Sequence, residues 1–245
     1  MHTLAYILIA SFLIASGALI GIFSLAVKKE LIEKILLSLV SLSAGTLMGG
    51  AFFHLMPEAA EKLEINNLLY IVLFSFILFF FIEKIIHWHH HHTAKCEIHT
   101  FGYINLIGSS IHNFIDGLII AATFLVDVRL GITTSIAIAS HEIPQKIGDF
   151  CIFLYAGFEK RKAIIINILV ALTIVIGGIL GYFLSQRISG LITYLLPFAA
   201  GGFLYISTSD LIPEIKKEKD FKKSLISFTF FLIGILIMYL AKFIE

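Results

Sequence analysis

The sequence predicts an all-α integral membrane protein of eight transmembrane helices arranged as three, two and three. Composition is the first ground. Hydrophobic residues make up 58% of the 245 and charged residues 14%, against roughly 45–50% and about 25% in soluble domains. So little polar surface cannot cover so much apolar mass in water, and mean hydropathy is +0.96. Secondly, the apolar residues fall into stretches close to the roughly 20 residues that a helix needs to cross the hydrocarbon. Thirdly, two of those stretches share a pattern while crossing in opposite directions. The same figures exclude a disordered chain and a disulfide-stapled scaffold, since only two Cys and four Pro occur. A net charge of +1 offers no field for nucleic acid.

Eight stretches lie between charged or Gly/Pro punctuation: Leu4 to Val27, Leu31 to Leu55, Leu68 to Trp88, Phe101 to Val126, Leu130 to Phe158, Ala163 to Ser185, Leu191 to Ile212 and Leu225 to Ile244. The first lacks a basic start and a small-residue cleavage site, so it reads as a span and not as a removable signal peptide. The runs are continuous, which selects helices over the alternating strands of a barrel. Residues 1–245 form one transmembrane domain, with residues 84–100 as a His-rich loop inside it. Orientation follows from the basic residues. Thirteen fall in the odd-numbered connections, led by Lys160, Arg161, Lys162 and the run from Lys216 to Lys223, against four on the other side. By the positive-inside rule the odd connections face the cytoplasm and both termini lie outside, in a multi-pass protein expected in the plasma membrane. Cys96 is then kept reduced and Cys151 lies within a span, so no disulfide is expected.

Residues 44–58, AGTLMGGAFFHLMPE, align with residues 200–214, AGGFLYISTSDLIPE, at a constant offset of 156. Ala, Gly, Leu, Pro and Glu coincide, and His54 falls opposite Asp210. Five spans separate the partners, which therefore run antiparallel, as in the inverted repeats of transporters. Spans one to three and six to eight would be the repeats, around central spans four and five.

Those central spans carry ionisable groups at the depth where lipid tolerates them least. His112, Asn113 and Asp116 lie within HNFIDG, and His141, Glu142, Gln145, Lys146 and Asp149 within HEIPQKIGDF. The four-residue spacings His112–Asp116 and His141–Gln145 put each pair on one side of its helix. Where the two sides meet, two imidazoles and a carboxylate suit Zn²⁺ or another borderline transition metal. Asn113 and Glu142, about 100° further round, define an adjoining oxygen-rich position, with Asp116 able to bridge the two. Pro144 removes an amide donor and frees the Ser140 carbonyl as a further oxygen.

HNFIDG followed by HEIPQKIGDF resembles the signature pair of the ZIP family of zinc- and iron-regulated transporter-like proteins, in particular its branch with a HEXPHEXGD-type fifth span. HLMPE and DLIPE are also similar to family patterns, and the resemblance covers essentially the whole chain. It implies eight spans in a three-plus-two-plus-three order and divalent metal import toward the cytoplasm. It also implies an elevator-like motion of the first, fourth, fifth and sixth spans against the others. His112, Asp116, His141 and Gln145 would then occupy the primary metal position, Asn113 and Glu142 the neighbouring one. The chain departs from the signature at Lys146, where Glu is usual. An ammonium has no lone pair to offer a metal and can pair with Glu142 or Asp149, so Lys146 is expected to act as a tethered cation beside a mononuclear site.

His54 and Glu58 near the outer end, and Asp210 and Glu214 near the inner end, are either transient metal stations or plain helix ends terminated by Pro-Glu. The loop residues His87, His89, His90, His91, His92, Cys96 and His99 read either as exchangeable metal capture or as a solvated linker. The cargo is expected to be Zn²⁺, with Fe²⁺, Mn²⁺ and Cd²⁺ as competitors, and no organic cofactor is expected. Expected partners are the metal, the lipid bilayer and a second copy of the chain in a homodimer. No GxxxxGK[ST] loop occurs, so gradients would drive movement. Two rival readings stand beside transport. One is a membrane metal sensor that binds without translocating. The other is an intramembrane zinc protease, disfavoured because HEIPQ has Gln145 where HExxH needs its second His.

Overall fold

The computed structural model describes residues 2–19, 29–88, 97–188 and 190–243, and all regular structure among them is helical. Helix α1 spans His2–Ser16 and runs on through a 3-10 turn at Gly17–Leu19. Helix α2 joins Lys29–Gly50, a π-helical segment Ala51–Leu55 and the short turn Met56–Ala60. Then come α3 (Ile65–Trp88), α4 (Glu97–Val126), α5 (Val128–Tyr155) and α6 (Lys160–Arg187). Helix α7 repeats the build of α2, with Leu191–Tyr205, a π segment Ile206–Leu211 and Ile212–Lys216. Helix α8 is Phe221–Ala241.

Seven of these are long and apolar enough to cross a membrane; α5 is not. That corrects the expectation of eight apolar spans. The 28 residues of α5 suffice in length, but Arg129, Glu142, Lys146 and Asp149 lower its hydropathy. Three of those four, Glu142, Lys146 and Asp149, are buried, so the helix faces protein instead of lipid at its polar positions. Its ends are well defined. The Asp127 carboxylate accepts from the Arg129 amide, an N-cap that satisfies an otherwise unpaired donor. At the other end Gly157 has φ 81°, while the Phe158 amide donates to the Phe153 carbonyl and the Gly157 amide to Leu154. This Schellman turn needs a residue free to adopt positive φ, and it stops the helix before Phe158, which the sequence placed inside the span.

The second and seventh helices run further than expected, past Leu55 and Ile212. In each, the π segment comes just before a proline, Pro57 or Pro213, at the start of the next turn. A proline is tolerated there because first-turn amides have no helical partner, so the helix shifts register and continues.

The helices pack as two groups of four. In one, α4 lies along α6, with α1 and α5 beside them; in the other, α2 lies along α8 and α3 along α7. Glycines set the closest approaches inside each group. A Cβ on Gly117 would strike the Ile174 carbonyl and one on Gly177 the Phe114 carbonyl, joining α4 to α6. Gly45 and Gly234 join α2 to α8 in the same way, and Gly201 abuts the Val72 carbonyl of α3. Between the groups, at the α2–α5 and α4–α7 contacts, ordinary side-chain packing prevails. A Cβ on Gly50 would sit 3.6 Å from that of Ala137, an unstrained van der Waals contact. Helices α3 and α8 are peripheral, each with 17% of its apolar window buried, against 56% for α2, α4 and α7.

Along the long axis the interior divides. Toward the α2–α3, α4–α5 and α6–α7 connections it is filled by an apolar core that includes Leu47, Ile120, Phe124, Ile138 and Phe203. Toward the other end, which carries the α3–α4, α5–α6 and α7–α8 connections, it holds a cavity of about 550 Å³.

Candidate metal centre

Helices α4 and α5 bring four side chains together at the inner end of that cavity, which His112 and His141 line while Asp116 and Glu142 lie buried behind them. His112 and Asp116 stand one turn apart on α4, and His141 and Glu142 stand opposite on α5. One donor atom from each lies within 4.8 Å of all the others. The two imidazole Nε2 atoms are 3.1 Å apart, with the rings nearly perpendicular at 88°. Asp116 Oδ2 is 3.1 Å from His141 Nε2 and 3.6 Å from His112 Nε2. Glu142 Oε1 is 4.0 Å from both. Metal–ligand bonds of about 2.0–2.1 Å in a tetrahedron set ligands roughly 3.4 Å apart, so these separations bracket what a bound zinc requires.

Protonation argues in the same direction. His141 Nδ1 donates to the Ala137 carbonyl over 3.3 Å, which leaves Nε2 as a lone pair aimed into the cluster. That lone pair and a carboxylate oxygen 3.1 Å away are two acceptors face to face, and something positive, a proton or a metal ion, has to lie between them. Glu142 Oε1 and Asn113 Oδ1 are buried without hydrogen-bond partners. The Asn113 amide nitrogen donates to the Ser109 carbonyl, which turns its oxygen free. Unsatisfied buried acceptors cost about 1–3 kcal/mol each. Asp116, His141 and Glu142 are buried, whereas His112 is partly open to the cavity.

Of the residues singled out in the sequence, His112, Asp116, His141 and Glu142 thus come together, with Asn113 beside them. Glu142, expected at an adjoining position, shares the cluster because its three-bond side chain spans the 100° offset from His141. Gln145 is a turn nearer the cavity mouth and lines the cavity wall. The expected free oxygen of Ser140 is not free: the Ser43 hydroxyl of α2 donates to the carbonyl that Pro144 leaves without a helical donor, and Thr46 Oγ1 meets the Ser140 hydroxyl.

Lys146 is wholly buried, 3.2 Å from Glu142 Oε2 and 3.6 Å from Asp149 Oδ2. It bridges both carboxylates instead of choosing one. Asp149 Oδ1 accepts from Asn105 Nδ2 at 2.8 Å and Ser109 Oγ at 3.0 Å. Asn167 of α6 donates to the Lys146 carbonyl over 3.1 Å. These supporting residues were missed in the sequence, although Asn105, Ser109, His112 and Asp116 recur at spacings of four, three and four, a helical stripe that was there to be read.

Asp210 and Glu214 line the cavity near its mouth, and both are exposed. Tyr205 there donates to Glu83. The residues at the other end do not reach the cavity: His54 is buried with Nε2 donating to the Met238 carbonyl over 2.8 Å, and Glu58 pairs with Lys62 at 2.8 Å. His89, His90, His91, His92 and Cys96, with the side chains of His87 and His99, lie outside the described residues.

The family profile described as ZIP zinc transporter matches residues 2–99 and 89–242. Zinc transporter ZIP13 of Pongo abelii is 33% identical over 220 residues, which cover 82% of this chain and 65% of that protein. Zinc transporter zipt-7.2 of Caenorhabditis elegans is 37% identical over 147 residues, 58% of this chain and 32% of its own length. Zinc transporter YKE4 of Saccharomyces cerevisiae is 30% identical over 240 residues, 82% of this chain and 69% of that protein. The chain therefore spans between about a third and two thirds of the length of these relatives.

Proposed function

Because the chain belongs to the ZIP zinc transporter family, we propose that it carries a divalent transition metal, Zn²⁺ foremost, through the membrane by way of the His112–Asp116–His141–Glu142 cluster. The observation that carries this is the convergence of two imidazoles and two carboxylates within 4.8 Å at mid-length of α4 and α5. Mixed nitrogen and oxygen ligands suit zinc and also admit Fe²⁺, Mn²⁺ and Cd²⁺. Hydrated metal exchanges water for these ligands, and the two carboxylates neutralise a dication whose burial would otherwise cost many kcal/mol.

Movement toward the cytoplasm is the direction favoured by the basic residues, since the cavity runs from the cluster to the end where they gather. The arrangement corresponds to a carrier open inward and sealed outward by the apolar core, with Phe203 against His141 at 6.4 Å between ring centroids. Alternating access then requires the seal and the cavity to exchange ends. The two four-helix groups supply bodies able to slide, α1, α4, α5 and α6 holding the cargo and α2, α3, α7 and α8 serving as frame, in an elevator-like motion.

An inverted repeat of helices one to three and six to eight is supported by two coincidences. The π segments Ala51–Leu55 and Ile206–Leu211 fall at corresponding positions, each before a proline. Gly45 closes on α8 while its counterpart Gly201 closes on α3, which are themselves counterparts. Asp210 and Glu214 are the proposed exit station, and the histidine loop receives metal beyond it. His54 and Glu58, held by Met238 and Lys62, serve the outer end as packing and ion-pairing groups more readily than as ligands. A multi-pass position in the plasma membrane, with both termini outside and two copies paired, completes the reading.

The test is radiolabelled zinc uptake into proteoliposomes. Wild-type protein accumulates label and His112→Ala reduces uptake at least about tenfold. Uptake unchanged in His112→Ala would overturn the route, and metal binding without uptake in the wild type would favour the sensor.

A further inference from the structure

Lys146 occupies the place from which a second ion would share Glu142. The Glu142 carboxylate is divided between two sides, with Oε1 facing the imidazoles and Oε2 facing the ammonium at 3.2 Å. On the far side of Lys146 lies Asp149, whose other oxygen is held by Asn105 and Ser109. Counting charge over this buried unit, three carboxylates (Asp116, Glu142 and Asp149) face one ammonium. The two negative charges left over are what a single dication neutralises, and a second dication would leave the interior charged where the low dielectric penalises it. The geometry points to Lys146 as a built-in second cation that acts through Glu142. It fixes the cargo at one ion and weakens the hold on that ion enough for release into the cavity.

The weakening follows from position. An ammonium on one oxygen of Glu142 withdraws charge from the other oxygen, and it repels a dication in the cluster on the far side of that carboxylate. The buried ammonium lies between two carboxylates, and Asn167 holds the backbone of its helix turn. Lys146 is in this sense a positioning residue, since it touches no metal. The inference rests on the proposed transport site, and its experiment separates the two.

Bound Zn²⁺ is counted by equilibrium dialysis of the full chain in nanodiscs. The count for each protein is taken as the difference from its counterpart with His112, His141, Glu142 and Asp149 all replaced by Ala, so that metal on the loop histidines cancels and both mid-membrane positions are counted. Wild type gives one equivalent and Lys146→Glu gives two. Lys146→Met keeps the buried volume without the charge, and it gives one equivalent held about tenfold or more tighter. In zinc uptake Lys146→Met lowers KM and also lowers kcat, a split that a merely misfolded protein would not produce. If Lys146→Glu fails to fold, the Lys146→Met measurements carry the test alone. Two equivalents in the wild type, or an unchanged Kd and KM in Lys146→Met, overturn the role of Lys146 and leave the transport site standing. Uptake and binding both indifferent to the His112→Ala/His141→Ala pair overturn the transport site itself.

Discussion

Pro144 illustrates how a single residue couples the candidate metal centre to the other helix group. Without an amide hydrogen it leaves the Ser140 carbonyl one donor short, and Ser43 on α2 supplies the missing donor. One of the few polar contacts between the two helix groups therefore exists because of a proline one residue from the midpoint of His141 and Gln145. Ser43→Ala should cost about 1–3 kcal/mol by orphaning a buried carbonyl, read as a lowered unfolding temperature in detergent. Pro144→Ala returns an amide to that carbonyl, and in the double variant it should recover most of the loss. Equal losses in single and double variants would remove Ser140 from the account. At this scale helical spacing in the sequence pointed to His112, Asp116 and His141, which cluster, and equally to Gln145, which lines the cavity instead. It could not disclose that Glu142 turns back into the same cluster, because reach around a helix depends on the partner helix that receives the side chain.

Among elements, the interlocked glycines of α4 and α6 bear the most geometric load. Gly117 lies directly after Asp116, and its bare Cα lets the α6 backbone come close enough to fix the depth at which Asp116 meets His141. Gly117→Val should push α4 from α6, destabilise the protein by about 1–3 kcal/mol or more and lower zinc affinity with it, measured by thermal unfolding and dialysis on the same preparation. Affinity retained despite the lost stability would mean that α4 carries its ligands independently of α6. The π segments of α2 and α7 were beyond the reach of periodicity, since only five helical residues follow each of them, too few for the shift in register to show. Only the recurrence of Pro57 and Pro213 at matching places hinted at them. Boundaries drifted for a similar reason: capping residues such as Asp127 and Gly157 end helices, and hydropathy is blind to them.

The whole molecule divides twice, into two sets of helices side by side and into a sealed end and an open end. If the sets slide, tying them together stops transport. Gly50→Cys with Ala137→Cys, in a background of Cys96→Ser and Cys151→Ser, would bring two thiols within bonding range, since their Cβ positions lie 3.6 Å apart and disulfides need about 3.5–4.5 Å. Mild oxidation should abolish zinc uptake and a reductant should restore it, while unaltered uptake in a fully cross-linked sample would rule out sliding at this contact. Part of this scale was open to the sequence: the all-helical class, the number of helices and the contact between the fourth and fifth. What stayed hidden was which face of each helix meets which neighbour, because in lipid an apolar residue on the protein side and one on the outer side look alike.

The fifth helix carries a consequence for how the chain is built. It is less apolar than the other seven, and a single residue, Asp127, separates it from α4. So short a connection favours entry into a bilayer as one arm of a hairpin, with its carboxylates and ammonium turned against the preceding arm. The buried charges of the candidate metal centre thereby also bear on how the newborn polypeptide enters the bilayer.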